Sequence, residues 1–134
     1  MASIHKETVI AAPPEKIWDA VRDVGEIHRR LVPGFVVDCK LEGGSRLITL
    51  FNGLTVREFI LDVNDERKRH AWNVVADGFE HYTASLQLFP EGNGQTRVVW
   101  IVDLLPHELA ETISGLVEQG LATMKHHLEQ VAAA

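Results

Sequence analysis

Glu58, His70 and Tyr82 are the residues whose chemistry suits proton transfer inside an apolar setting: a carboxyl, an imidazole and a phenol, each within a run of alternating apolar residues. Glu58 sits between Val56 and Ile60 on one face of its run. If that face points inward, burial disfavours the charged carboxylate, the condition for an acid/base group. If Phe59, Leu61 and Val63 form the core instead, Glu58 is a solvated surface charge; both faces are apolar, so periodicity leaves the two readings open. His70, Trp72 and Val74 share one face of the next run, and Glu80, Tyr82, Ala84, Leu86 and Leu88 one face of the run after it. Trp72 and Tyr82 offer a large apolar area with one polar handle each, which suits an aromatic ligand. His70 fits the edge of this group, near solvent.

Other chemistries lack their residues. The seven histidines, at 5, 28, 70, 81, 107, 126 and 127, include no H-x-x-x-H pair, and Cys39 is alone, so no metal set and no internal disulfide is expected. No Gly-rich phosphate loop and no nucleophile elbow occurs, and no cofactor is expected. Thirteen basic against nineteen acidic residues give a net charge of −6, which disfavours nucleic acid as a partner. No run approaches the ~18 apolar residues of a membrane span, no signal peptide opens the chain, and a cytoplasmic location is expected.

The elements that would position these residues follow from period and punctuation. Ile4, Lys6, Thr8 and Ile10 alternate as a strand, which Pro13-Pro14 stop; two short helices follow, the first around Ile17, Trp18 and Val21, the second around Ile27, Leu31 and Val32. From 35 to 105 the period is two, with turn signals such as Gly43-Gly44, Asn52-Gly53, Asp77-Gly78 and Gly92-Asn93-Gly94 between six runs. Leu109, Ile113, Leu116, Gly120, Met124 and Leu128 then recur at helical spacing over six or seven turns. The 134 residues, 46% hydrophobic, suit one domain spanning 1–134. The predicted fold is α+β: a seven-stranded antiparallel sheet curved around a long C-terminal helix. Such a sheet seldom closes on one helix everywhere, so a cavity between them is expected. Gly120, mid-helix, either widens that cavity or lets a bulky strand residue pack close. The last strand is apolar on both faces, so one face meets the helix and the other could meet a second copy, giving a homodimer.

With this order of elements, Ala11–Pro33 (AAPPEKIWDAVRDVGEIHRRLVP), GGSRLITLFNG, VREFILDVNDERKRHAWNV and TRVVWIVDLLP, the chain resembles the START-like, or Bet v 1-like, superfamily (SRPBCC), and within it the polyketide cyclase/dehydrase and lipid-transport group. The shared features are a Trp in the first helix, a D-E-R turn, and a Trp in the last strand followed by a Pro. The resemblance implies the helix-grip fold with an internal cavity, and it favours an inward Glu58. Beside the plant abscisic acid receptors, Glu58, Trp72 and Tyr82 fall at pocket positions, whereas Val37 replaces the lysine that grips a carboxylate. The function expected is binding or transport of a small hydrophobic ligand (lipid-like, polyketide or aromatic), with Val56, Glu58, Trp72, Tyr82, Ile101, Leu116, Gly120 and Met124 lining its site. The alternative is a cyclase/dehydratase or hydrolase using Glu58, His70 or Tyr82.

Overall fold

The computed structural model describes residues 2–134. β1 (Ala2–Ile10) leads through Pro13-Pro14 into α1 (Pro14–Arg22), with proline at the start of the helix where its missing N–H costs nothing. The second short helix is not α-helical: a 3-10 turn at Val24–Glu26 runs into a single π-helical turn at Ile27–Leu31. The meander follows as β2 (Val36–Glu42), β3 (Ser45–Leu50), β4 (Thr55–Asn64), β5 (Arg69–Val75), β6 (His81–Gly92) and β7 (Gln95–Leu105). A 3-10 turn at His107–Leu109 then starts α2 (Ala110–Ala133), whose 24 residues span about 36 Å.

All seven strands form one antiparallel sheet in the order β1-β7-β6-β5-β4-β3-β2. The expected meander and the long closing helix are both present. Even-numbered residues of β1 and β7 pair with each other and face α2, among them Ile4, Ile10, Val98, Val102 and Leu104, all buried. Opposite them α2 buries Ile113, Val117, Gly120, Leu121, Met124 and Leu128. Lys6, on the same parity at the sheet's edge, reaches across to Glu118 of the helix at 2.7 Å. Two of the sequence's signature residues meet at the other end: Trp18 Nε1 of α1 donates to Asp65 Oδ1 in the D-E-R turn at 2.8 Å, and Arg22 Nε donates to the same oxygen at 2.8 Å.

A β-bulge in β4 explains why alternation alone leaves that strand ambiguous. Ile60 pairs with Trp72 and Asp62 with Ala71, so Leu61 is skipped and the parity reverses. Val56, Glu58 and Ile60 face inward before the bulge, and Val63, opposite His70, faces inward after it. Phe59 is left 41% exposed on the outer face.

Candidate functional site

Between the sheet and α2 lies a cavity of about 160 Å³. Its wall is assembled row by row across the sheet. His70 pairs with Leu86 and Leu86 with Trp100; one row along, Trp72 pairs with Ala84. Small Ala84 makes room beside Trp72, so three aromatic rings run in series: His70 and Trp72 with centroids 4.9 Å apart, Trp72 and Trp100 with centroids 6.0 Å apart. Phe79 meets Tyr82 edge to face at 5.2 Å near the other end. Leu116, Val117, Ile113 and Met124 of α2 form the opposite wall. Leu54 lines the cavity and is also 57% exposed, so the β3–β4 turn borders its opening.

The polar groups inside are few. Arg46 of β3 pairs across the ladder with Glu58 of β4. Its Nε and Nη2 both lie 2.8 Å from Glu58 Oε1, and its Nη1 donates to the Val24 carbonyl at 3.0 Å. Arg46 is 3% exposed and Glu58 7%, so this is a buried ion pair holding a backbone loop as well. His70 is 2% exposed, and its Nε2 has no hydrogen-bond partner. Burial, with Arg46 adding a smaller repulsion, holds the imidazole down to about 3, so it is neutral at pH 7. Burial, then the Glu58 charge, pushes the Tyr82 phenol well above its ordinary range, and it stays protonated. Trp100 Nε1 is likewise buried without a partner.

The structure brings most of the sequence-derived candidates together. Val56, Glu58, His70, Trp72, Tyr82, Leu116 and Met124 all line the cavity. Ile101 does not: strand parity puts it on the outer face with Asp103, and Trp100 occupies the inward position. Gly120 is no part of the cavity surface either. A Cβ there would lie 2.8 Å from Trp100 Cζ3 and 3.3 Å from Phe35 Cε2, so the glycine lets two rings press against the helix backbone. His70 is deep in the core rather than at a wet edge. Glu58 meets a cation that the sequence reading leaves out. Arg46 was legible only as a basic residue in an apolar strand, and Trp100 was legible on parity once the inward face of β7 is known. Asp103 accepts a hydrogen bond from Ser3 Oγ, away from the cavity. Val37 points outward and is exposed, while Val36 faces the cavity. Val99 is buried and Ile101 half-buried on the outer face, whose exposed apolar residues include Phe59, Leu61 and Val75 of β4 and β5. Among the described residues no cluster of three metal-ligating side chains occurs, and no helix is long and apolar enough to cross a membrane.

A curved sheet gripping one long helix, with an apolar cavity held between them, defines a helix-grip protein. The chain belongs to the family described as polyketide cyclase / dehydrase and lipid transport, which matches residues 1–129. The fold recurs in solved structures of low sequence identity. A protein from Nitrosospira multiformis is 19% identical at a TM-score of 0.84, over 99% of this chain and 100% of that one. The di-domain ARO/CYC BexL of the BE-7585A biosynthetic pathway is 15% identical at 0.84, over all of this chain and 48% of its own. Norcoclaurine synthase from Thalictrum flavum is 18% identical at 0.75, over 97% of this chain and 92% of that one. No curated protein matches the chain in sequence.

Proposed function

We propose that this protein binds a small, largely apolar molecule, about the size of one substituted aromatic ring, in the cavity between sheet and helix. The observation that carries the reading is the cavity itself: about 160 Å³, walled by Trp72, Trp100, Phe79, Tyr82 and aliphatic side chains. A cavity of roughly 150 Å³ lined by Leu, Ile and Phe is known to stay dry and to bind benzene, so the size and lining here suit a comparable guest. The family's description, which includes lipid transport and polyketide cyclisation, accords with an apolar guest.

Binding fits the polar groups better than proton transfer does. A general base works best when it titrates near the operating pH, and His70 at about 3 is far below it. Both contacts of Arg46 with Glu58 fall on one carboxylate oxygen, so that carboxylate already has a structural duty.

The test is native mass spectrometry of the purified protein, followed by titration with single-ring aromatics read by tryptophan fluorescence. Trp72 and Trp100 line the cavity, so occupancy should change their emission in a saturable way. A co-purified small molecule, or saturable quenching, supports the reading. A protein that carries nothing and responds to no aromatic, lipid or polyketide overturns it.

A further inference from the structure

The Arg46–Glu58 pair is built unevenly. Both guanidinium contacts, 2.8 Å each, fall on Oε1 of the carboxylate, and the third nitrogen of Arg46 donates to the Val24 carbonyl at 3.0 Å. Oε2 therefore receives nothing from its cation, and Val74, the neighbour of Glu58 on the other side of the ladder, has no side-chain donor. Among the described residues four side-chain atoms are sealed off without a hydrogen bond, on Glu26, His28, His70 and Trp100, and Glu58 Oε2 is not one of them. An oxygen that accepts no hydrogen bond and is not sealed keeps accessible surface. Glu58 faces inward, is 7% exposed and lines the cavity, so that surface belongs to the cavity wall.

An ionised carboxylate oxygen is an acceptor and nothing else. A guest that brings a donor to it gains a charge-assisted hydrogen bond, shorter and stronger than a bond between neutral groups. The same pair limits the charge of the guest. Each nitrogen of Arg46 is already engaged within the protein, so an anionic guest meets no free cation there and sets its own lone pairs against Oε2. Arg46 also balances Glu58, so a cationic guest carries an uncompensated charge into the interior, which is costly. A neutral donor escapes both penalties.

We infer that the guest is an uncharged aromatic molecule with an O–H or N–H donor, a phenol being the simplest, and that it donates to Glu58 Oε2. This rests on the binding function proposed above and narrows it to a ligand class: apolar area supplies the attraction, and the free oxygen selects the substituent. Glu58 then has a different duty on each oxygen. Oε1 ties β4 to Arg46, and through it to the Val24 loop, while Oε2 reads the guest. Hydrocarbons and ethers fill the space but leave that oxygen unanswered.

The experiment compares p-cresol with p-xylene, in which a methyl group replaces the hydroxyl, and with 4-methylanisole, which keeps the oxygen but has no donor. Affinities are measured for the wild-type protein and for the double variant Arg46→Met with Glu58→Leu, which removes the carboxylate and its cation together and so strands neither charge. The double substitution should shift the preference between p-cresol and p-xylene about tenfold or more toward p-xylene, the scale of one hydrogen bond to a charged group. The ratio of 4-methylanisole to p-xylene should stay as it was. In the wild type, the carboxyl carbon resonance of Glu58 should move with p-cresol and not with 4-methylanisole; this needs no variant and decides the matter if the double variant does not fold. If the guests bind but the substitution leaves the p-cresol preference unchanged, or shifts 4-methylanisole as far, or the resonance responds alike to both, the inference fails while the binding function stands. If none of the three binds the wild type, the binding function falls for single-ring guests and takes this inference with it.

Discussion

Removing one member of the Arg46–Glu58 pair should destabilise the fold far more than removing both. The pair is buried on the ladder between β3 and β4, with two contacts of 2.8 Å on one carboxylate oxygen. Glu58→Leu strands a guanidinium that cannot lose its proton, leaving it only the Val24 carbonyl. Breaking a buried pair in this way costs about 3–5 kcal/mol, which for a chain of this size lowers the melting temperature by roughly 10–18 °C. Arg46→Met strands the carboxylate instead, but a carboxyl can take up a proton and shed its charge, so the expected cost is smaller. The double variant, with two apolar side chains of similar bulk, should lie within about 1 kcal/mol of the wild type or above it. Urea and thermal unfolding of the four proteins at pH 7 measure the cycle. Single variants costing under about 1 kcal/mol, or a double variant as unstable as the two singles summed, would refute a dry, coupled pair at the cavity wall.

Two further outcomes follow from the same geometry. Gly120→Ala should gain about 1 kcal/mol in helix propensity yet force the Trp100 ring back by about 0.6 Å, from 2.8 Å to ordinary contact. The net effect on stability is therefore small, while affinity for single-ring guests should fall severalfold as the ring moves toward the cavity; unchanged affinity would count against Trp100 as a wall. His70 titrates near 6.5 when unfolded and about 3 when folded, so between those values the unfolded chain binds a proton that the folded chain refuses. Its contribution to stability is complete above pH 6.5 and declines as pH falls toward 3. His70→Phe should accordingly lose on the order of 2 kcal/mol less than the wild type between about pH 7 and pH 4.5, and parallel pH–stability curves for the two proteins would show that the imidazole is not held neutral.

The fold was legible in local signals. Alternation from 35 to 105, interrupted by glycine and asparagine turns, set the strands, and the three-and-four spacing from Leu109 to Leu128 set the helix that covers them. Both are periodic properties of neighbouring residues, and a chain of apolar strands ending in one long amphipathic helix has few ways to bury its faces. The cavity wall was harder. Trp72, Tyr82, Leu116 and Met124 could be placed on it from their parity and helical face, because no irregularity intervenes in those stretches.

Where strands are apolar on both sides, parity carries no sign. That is why Ile101 was expected inward and Trp100 takes its place, and why a one-residue bulge after Ile60 reverses the reading within a single strand. The seven strands, the helix that closes on them and the apolar character of what lies between could be read from residue order, since these depend on spacing along the chain. That Arg46 answers Glu58, that Gly120 admits the Trp100 ring, and that the His70 and Trp100 ring nitrogens are buried without partners follow from the packing alone. The first two are contacts between residues 12 or more positions apart, and all three are fixed by which strands lie side by side and how closely the helix approaches them.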